Sequence, residues 1–228
     1  MSNPIETTKH YLLEAALLVV PAQRVLVYEV DADGQPIGHL SSTPNQHWGS
    51  LYRRFAEIDP LHPRHYTAAP GSVFGTAAGF GPRVENEDYV SGFRSVLGVR
   101  FKAEVFLRDV RGHILAGIRY ARFRDATEFT AEEMTRLIKM QRLFSCTWSS
   151  ALSEAKRERL LAGLTEREHE VLELLQSGYP NDDIAARLSI ALPTVKNHVK
   201  NILGKTGHAN RAELLAALLR SSRPMHDA

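Results

Sequence analysis

The chain has 228 residues, of which 43% are hydrophobic and 24% are charged, as in globular proteins of one large or two ordinary domains. A net charge of +2 excludes a surface that binds polyanions throughout, so any nucleic-acid site must be a local patch. The single cysteine, Cys146, excludes an intrachain disulfide, and the apolar segment at 11–22 is interrupted by Glu14 and too short to cross a membrane. We therefore expect a cytoplasmic protein without a membrane partner.

The first 125 residues mix patterns typical of helices and of strands. An apolar segment that ends at a proline predicts an N-terminal amphipathic helix. Segments with strand-forming residues lie on either side of a DADGQP turn and predict a hairpin. Apolar residues at helical spacing predict two more helices. The predicted elements are a helix at 11–21, strands at 25–30 and 36–42, and helices at 46–58 and 86–98.

Residues 99–109 alternate between apolar and polar side chains, which is typical of a strand with one buried face. A second strand at 113–123 follows a short turn, so the two segments predict an antiparallel hairpin. Five basic side chains on this hairpin could bind an anionic ligand, but we expect them to form a solvated face. They are Arg100, Lys102, Arg108, Arg119 and Arg122.

A long helix is expected after the hairpin. Thr130 and Glu133 have the spacing of a capping box, and an apolar stripe follows them, which predicts a helix over 130–158. The order of elements predicts an α+β fold, with an antiparallel sheet and helices before, between and after its strands. In this order the segment 1–158 resembles the GAF/PAS class of sensor domains.

Beyond the long helix the pattern is helical throughout. Thr165 and Glu168 predict a second capping box, and Asn181 is the expected cap of the next helix. A third helix is expected to begin near Leu192. We therefore expect an all-α domain of four helices at 159–228, joined to the α+β domain by the long helix.

The third of these helices has two different faces. At about 100° per residue the apolar face carries Val195, Val199, Ile202 and Leu203. The opposite face carries Asn197, Lys200, Asn201 and Gly204, with Lys196 and His198 on the flanks. Amides suit bidentate contacts with adenine, whereas lysine suits guanine and phosphates. Because the window 185–207 also contains no acidic residue, the pattern predicts a helix-turn-helix whose second helix enters the major groove of DNA.

The segment 164–214 closely resembles the LuxR/FixJ-type four-helix DNA-binding domain. The matching residues are Leu164, Thr165, Arg167, Glu168, Glu170, Val171, Leu172, Gly178, Asn181, Ile184, Ala185, Leu188, Ile190, Thr194, Val195, Lys196, His198, Ile202, Lys205, Gly207 and Arg211. So many residues in register make this a specific signal.

The resemblance implies roles for individual residues. The positions matching Lys196, Asn197 and Lys200 face the bases in the family, and those matching Thr194, Lys205 and Arg211 contact or orient the DNA backbone. The full expected DNA-binding set is Thr194, Lys196, Asn197, His198, Lys200, Asn201, Lys205 and Arg211.

Two residues depart from the family pattern. Pro180 stands where the family usually has serine, and Ala191 stands where it usually has a serine cap. The missing cap costs the third helix about 1 kcal/mol. The leucines of the last helix, at 214–219, are either a dimer contact, as is common in the family, or ordinary core.

These features predict a DNA-binding transcriptional regulator. We expect a homodimer on inverted half-sites in promoter DNA, because one small domain buries too little surface for tight specific binding. We also expect a contact with RNA polymerase. The N-terminal domain is expected to sense a small ligand and gate promoter binding. A phosphorylated receiver is excluded, because repeated strand–helix alternation is missing. Two alternatives stay open: an acyl-homoserine-lactone-type quorum-sensing regulator, and a ligand-independent regulator whose N-terminal domain serves only dimerisation or protein docking.

The candidate ligand-binding residues are Trp48, Tyr52 and Asp59. With Pro60 they follow the aromatic–aromatic–Asp-Pro order of the acyl-homoserine-lactone sensors, which they resemble in this respect. Aromatic side chains can wall an acyl pocket, and a buried aspartate can accept an amide N–H. The alternative interpretation is that the two aromatics are core residues of a helix and Asp59-Pro60 is a turn.

Asp59, His62 and His65 are three metal-capable side chains within seven residues. Two prolines constrain this segment, and we expect a rigid surface loop rather than a metal site. The sequence contains no nucleophile elbow, phosphate loop or paired-carboxylate motif. We therefore expect no enzyme activity, no metal and no cofactor.

Overall fold

The computed structural model describes residues 3–43, 48–69, 71–76 and 86–222. By its internal contacts the chain divides into two compact units, unit 1 (Met1–Ser149) and unit 2 (Ser150–Ala228). Each unit has its own hydrophobic core.

Unit 1 is an α+β structure. Its helices are α1 (Pro4–Val19), α2 (Trp48–Phe55), α3 (Glu87–Tyr89) and α4 (Ser95–Leu97), and its strands are β1 (Arg24–Val30), β2 (Pro36–Ser41), β3 (Val73–Gly75), β4 (Val99–Arg108) and β5 (Ile114–Phe123). Two 3-10 turns, Ala56–Ile58 and Pro63–Tyr66, follow α2, and a π-helical turn, Val90–Arg94, joins α3 to α4. Helix α5 (Ala131–Leu161) begins in unit 1 and ends in unit 2.

The five strands form one antiparallel sheet in the order β2-β1-β5-β4-β3. Arg119 of β5 lies near its centre, because it pairs with Leu26 of β1 on one side and with Glu104 of β4 on the other. On the opposite face the Tyr120 hydroxyl donates to the Ala16 carbonyl of α1, 3.3 Å away. The predicted α+β fold with an antiparallel sheet is confirmed.

Most predicted elements of unit 1 are also confirmed. The Thr130 amide donates to Glu133 at 2.8 Å and the Glu133 amide donates to the Thr130 hydroxyl at 3.2 Å, which is the predicted capping box of α5. The sequence did not predict β3, a strand of three residues that pairs with β4 at the edge of the sheet. A strand this short has too few residues for an alternation to be read.

The solvated face expected for the hairpin of β4 and β5 is wrong. Lys102, Glu104 and Arg119 are 2%, 0% and 4% exposed. The reason is that both faces of the sheet are covered: Tyr52 of α2 and Phe93 of the π-helical turn pack in one core cluster with strand residues. Arg122 is buried as well, whereas Arg100 is exposed and Arg108 is half-buried.

Unit 2 consists of the end of α5 and four helices. These are α6 (Glu166–Gln176), α7 (Asn181–Leu188), α8 (Leu192–Thr206) and α9 (Arg211–Ser222). Their shared core contains Val171, Leu172, Leu175, Ile184, Ala185, Val195, Ile202, Leu214 and Leu218. Two leucines of the last helix are therefore core residues, whereas Leu219 is 65% exposed.

The helix ends in unit 2 follow the predictions with one exception. Thr165 and Glu168 form the predicted capping box of α6. Ala191 stands at the N-cap of α8 without a side-chain cap, as expected. The prediction that Asn181 caps α7 is wrong, because Asn181 is the first helical residue and Pro180, which has no capping side chain, stands at the N-cap.

Candidate functional site

Helix α8 presents an exposed face of lysines and amides. Lys196, Asn197, Lys200 and Asn201 are exposed, whereas Val195 and Ile202 are fully buried in the core of unit 2. The two predicted faces of this helix are therefore confirmed. Thr194 is exposed in its first turn, and His198 is half-buried.

A tight turn sets α8 against α7. Ser189 ends α7 in the left-handed conformation, with φ of +53°, and the Ile190 amide donates to the Ala185 carbonyl at 3.0 Å. Only Ile190 and Ala191 separate Ser189 from Leu192, the first residue of α8. This is the geometry of a helix-turn-helix, in which the second helix is free to enter a groove of DNA.

Two of the expected backbone-contacting residues have partners within unit 2. The Lys205 ammonium lies 2.6 Å from the Glu168 carboxylate, which also closes the capping box of α6. Arg211 donates to the carbonyls of Leu175 and Tyr179 at 3.2 and 3.0 Å. Both side chains thus tie helices together around α8.

A cluster of buried charges lies on the sheet of unit 1. We call Asp59, Lys102, Glu104 and Arg119 the ion cluster. Arg119 lies 2.9 Å from one oxygen of Asp59, and the Lys102 ammonium lies 3.6 Å from the other. The Leu61 amide also donates to Asp59 at 3.0 Å. Asp59 is therefore held by two cations and a backbone amide without contact with solvent.

Glu104 lies on the other side of Arg119 in the ion cluster. Its carboxylate forms an ion pair with the Arg119 Nε and accepts a hydrogen bond of 2.8 Å from the Tyr28 hydroxyl. Tyr28 reaches across β5 at Gly117, where a Cβ would overlap its phenol ring. Glycine at this position is thus required for the hydrogen bond between Tyr28 and Glu104.

Two more tyrosines contact the ion cluster. The Tyr52 hydroxyl donates to Asp59 at 3.0 Å, and the Lys102 ammonium donates to the Tyr89 hydroxyl at 3.2 Å and lies 4.4 Å from the Tyr89 ring centroid. Aromatic rings stabilise a desolvated cation through their quadrupole, so Tyr89 compensates part of the hydration that Lys102 loses.

The buried environment shifts the pKa values of these groups in different directions. Burial would raise the pKa of Asp59, but Arg119 and Lys102 outweigh it and hold that pKa well below its usual range. For Glu104 burial prevails, and its pKa is raised although Arg119 opposes the shift. Burial lowers the pKa of Arg119, but Asp59 and Glu104 raise it well above its usual value. The Asp59–Arg119 ion pair is therefore charged at neutral pH.

A small cavity of about 10 Å³ adjoins the ion cluster. It is lined by Leu26, Tyr28, Pro36, His39, Tyr52 and Arg119. A volume of this size holds roughly one water molecule.

Two of the three candidate ligand residues contact each other. Tyr52 and Asp59 lie together in the ion cluster region, as their sequence spacing allowed. Trp48 is the first residue of α2, and its side chain is not among the parts of the chain that the structure describes. The sequence reasoning missed Lys102, Glu104 and Arg119 as neighbours of Asp59. The only signal was that three charged residues alternate with apolar ones on adjacent strands.

The expected surface loop around Asp59 is also wrong. Asp59 and His62 are both 0% exposed, and only His65 lies at the surface. The His62 Nδ1 accepts a hydrogen bond of 3.3 Å from the Arg64 amide, while its Nε2 has no partner among the described residues. Burial and the charge of Arg64 lower the pKa of His62 to about 4. Within the described residues no three acidic, histidine or cysteine side chains are grouped as a metal site would require.

An exposed helix of lysines and amides, following a tight turn in a four-helix unit, defines the protein as a helix-turn-helix DNA-binding protein. Comparisons with known proteins agree. Residues 162–218 match the luxR family of bacterial regulatory proteins. The monoamine regulon transcriptional regulator of Klebsiella aerogenes is 31% identical over 208 residues, which are 90% of this chain and 87% of that protein.

Two further similarities are more limited. The HTH-type transcriptional regulator MalT of Serratia proteamaculans is 50% identical over 50 residues, which are 22% of this chain and 6% of that protein. The crystal structure of Escherichia coli SdiA aligns with 99% of this chain and 94% of its own, with 21% identity and a TM-score of 0.41.

The chain belongs to the luxR family of bacterial regulatory proteins, and it is a DNA-binding transcriptional regulator. The Klebsiella aerogenes relative, which shows the family over most of both chains, is itself a transcriptional regulator. No helix in the described part of the chain is both long and apolar enough to cross a membrane.

Proposed function

We propose that this regulator binds promoter DNA through α8, with Lys196, Asn197, Lys200 and Asn201 facing the base edges. Thr194, His198, Lys205 and Arg211 contact or orient the DNA backbone. The observation that carries this proposal is the exposed lysine and amide face of α8, opposite a face that is buried in the core of unit 2. Such a face matches the donors and acceptors of the major groove.

The test is DNA binding by the full chain at several salt concentrations. Phosphate contacts release counterions, so affinity must fall steeply as salt rises. Lys200→Ala should weaken binding to the operator by about tenfold, and Asn197→Ala should reduce discrimination against a changed base pair by about 1–3 kcal/mol. Glu173→Ala, on an exposed position of α6, is the control. If neither variant changed affinity or base preference, α8 would not be the reading helix.

The same proposal includes the assembly of the regulator. Residues 1–158 form the sensor and dimerisation domain, 159–228 form the DNA-binding domain, and a cytoplasmic homodimer binds inverted half-sites and contacts RNA polymerase. Two-fold operators require two reading helices, because a single module buries too little surface. Sedimentation of the full chain with and without a two-half-site duplex tests this: a monomer bound to one half-site would contradict it.

The ligand site of the sensor domain is centred on Tyr52 and Asp59 in this proposal, with Trp48 as a further contact. The supporting observation is that the ion cluster keeps Asp59 and Arg119 charged beside a cavity lined by Tyr28 and Tyr52. When both carboxyls of the ion cluster are ionised, its two acids and two bases have a net charge of zero. A ligand with a net charge would leave an uncompensated buried charge, so the ligand is neutral and forms hydrogen bonds.

A matched pair of compounds tests the ligand charge. 2-Phenylethylamine carries a positive charge at neutral pH, and N-(2-phenylethyl)acetamide is its neutral amide; N-octanoyl homoserine lactone is a third, neutral compound. Calorimetric titration of the full chain should give binding to a neutral amide that Asp59→Asn weakens. Preferential binding of the amine would contradict the charge argument, and would fit the monoamine regulon of the Klebsiella aerogenes relative.

A second candidate is a regulator that needs no ligand, with unit 1 serving only dimerisation or protein docking. The observation in its favour is that the cavity beside the ion cluster measures only about 10 Å³. In that case Tyr52→Phe should leave promoter activation in cells unchanged, whereas a ligand-gated regulator would lose its response.

A further inference from the structure

We propose that His39 determines the specificity of the ligand site in unit 1 by donating a hydrogen bond to a carbonyl oxygen of the ligand. The residue lies on β2, an edge strand of the described sheet, and it lines the small cavity beside the ion cluster. The inference rests on the ligand site proposed above, and it adds to that site one residue and one functional group of the ligand.

A β-bulge aims His39 at the cavity. Two residues of β2, Gly38 and His39, lie opposite the single residue Tyr28 of β1. Gly38 has φ of +58°, the left-handed conformation typical of the first residue in one common kind of bulge. Pro36 and His39 are three residues apart, so a regular strand would place them on opposite faces, yet both line the cavity. The extra residue therefore brings the His39 side chain to the face of the sheet that carries the ion cluster.

A buried lysine of α1 holds this bulge in place. Lys9 is 1% exposed, and its ammonium donates a hydrogen bond of 2.8 Å to the Gly38 carbonyl. The same ammonium lies 2.7 Å from the carboxylates of Glu6 and Glu29, so three oxygens fix its position. A Cβ at Gly38 would lie 2.8 Å from that ammonium, so a residue with a side chain would have to displace Lys9. The backbone position of His39 is thus set by the fold before any ligand binds.

The His39 ring packs beside the two tyrosines that line the cavity. Its centroid lies 5.5 Å from the ring centroid of Tyr28 and 6.2 Å from that of Tyr52. Both tyrosines are buried whereas His39 is exposed, so the imidazole marks the side of the cavity that solvent reaches. A ligand that enters from this side must pass the imidazole.

The hydrogen-bonding groups around the cavity define what His39 adds. The hydroxyl hydrogens of Tyr28 and Tyr52 are already donated to carboxylates of the ion cluster, so both hydroxyls can only accept from a ligand. Burial and the charges of Arg119 and Lys9 lower the pKa of His39 to about 4, and even its ordinary pKa of 6.5 would leave most of the ring neutral at pH 7. A neutral imidazole has one N–H, so His39 supplies a donor that neither tyrosine can give. A carbonyl oxygen accepts hydrogen bonds and carries no charge, so it fits both this donor and the neutral ligand inferred above.

Calorimetric titration of the full chain with two matched compounds tests the proposal. N-(2-phenylethyl)acetamide and N-(2-phenylethyl)thioacetamide differ only in that sulfur, a weaker acceptor, replaces the carbonyl oxygen. The natural chain should bind the amide about fivefold more tightly than the thioamide, which is the factor that one hydrogen bond between neutral groups contributes. His39→Phe keeps an aromatic ring beside the tyrosines but has no N–H, so it should bind both compounds equally. His39→Gln keeps an N–H donor and should retain the preference for the amide.

The outcomes separate the role of His39 from the ligand site on which it rests. His10→Phe, at an exposed position of α1, is the control and should keep both affinities of the natural chain. If the natural chain binds the two compounds equally, or if His39→Phe keeps the fivefold preference, His39 is not the donor, although the ligand site stands. If the natural chain binds neither compound, the proposed ligand site is itself refuted, and the role of His39 is refuted with it.

Discussion

The two units use their charged side chains in opposite ways. On the sheet of unit 1, Asp59, Glu104 and Arg119 are almost completely buried and satisfy each other. On α8 of unit 2, Lys196 and Lys200 are exposed, and their window of sequence contains no acid. Charges that are paired inside a fold mainly select one arrangement of that fold, whereas exposed charges of one sign are available to a partner.

Because the charges are buried in unit 1 and exposed on α8, substituting them should have different effects in the two units. Changing one charge inside unit 1 should affect folding first, because it leaves its former partner buried and unpaired. Changing one charge on α8 should affect DNA binding and leave folding unchanged. Substitutions in unit 1 can be followed by tryptophan fluorescence, because unit 1 contains Trp48 and Trp148.

The largest expected effect is that of Arg119→Met. This variant leaves Glu104 buried without its cation and Asp59 with Lys102 alone, so the free energy of unfolding of unit 1 should fall by about 3–5 kcal/mol. Urea denaturation measures it, with Arg111→Met at an exposed turn as the control. The double variant with Glu104→Gln should recover much of the loss, because Asp59 keeps Lys102 as its cation. A small effect of Arg119→Met alone would contradict the comparison of the two units.

The next effect is that of Gly117→Ala. A methyl group there would overlap the Tyr28 ring, and overpacking a buried site costs about 3 kcal/mol. Adding Tyr28→Val should relieve this cost, and the double-mutant cycle measures the coupling. Gly49→Ala, in α2 with no described atom within 4 Å of where its Cβ would lie, should cost nothing. Equal destabilisation with and without the Tyr28 substitution would show that the contact is not the cause.

The third prediction concerns pH. The pKa of His62 is lowered from 6.5 to about 4, so between these values the unfolded chain binds a proton that the folded chain resists. The free energy of unfolding should therefore fall as the pH decreases from 6.5 toward 4, by about 2 kcal/mol. His62→Gln should flatten this part of the pH profile, whereas His65→Gln at the surface should not. Parallel profiles for His62→Gln and the natural chain would refute the assignment.

The smallest effect is expected in unit 2. Glu168→Gln keeps the hydrogen bonds of the capping box but loses the ion pair with Lys205, which is partly exposed to solvent. A loss of about 1 kcal/mol is expected, visible as faster hydrogen exchange of α6 amides in the full chain. Glu166→Gln, exposed in the same turn, should leave exchange unchanged. Faster exchange in both variants would point to a general charge effect.

The sequence predicted unit 2 nearly completely. A helix shows its buried and exposed sides within two turns, so the spacing of Val195, Val199 and Ile202 was enough to orient α8. The cap at Asn181 was misplaced by one residue because Pro180, with its fixed φ, takes the extended conformation at the N-cap.

In unit 1 the sequence predicted the strands but not the burial of their polar face. Alternation in β4 separates two faces, and it carries no information on what covers each one. Whether a face of the sheet is buried depends on segments that are distant in the sequence. Arg119, for example, donates to the carbonyl of Leu61, 58 residues earlier in the chain. The proximity of Tyr52 to Asp59 was visible in their local spacing, whereas their common partner Arg119 gave no local signal.

The ion cluster also has a consequence for how this chain can diverge. Each member of the ion cluster contacts another member. A related protein that loses one of them is therefore less stable until a second position also changes. Substitutions in this part of the gene should therefore accumulate in pairs, across segments far apart in the sequence. The exposed positions of α8 have no such partners in the ion cluster, so specificity for an operator can change one residue at a time, whereas the buried charges of unit 1 must change together.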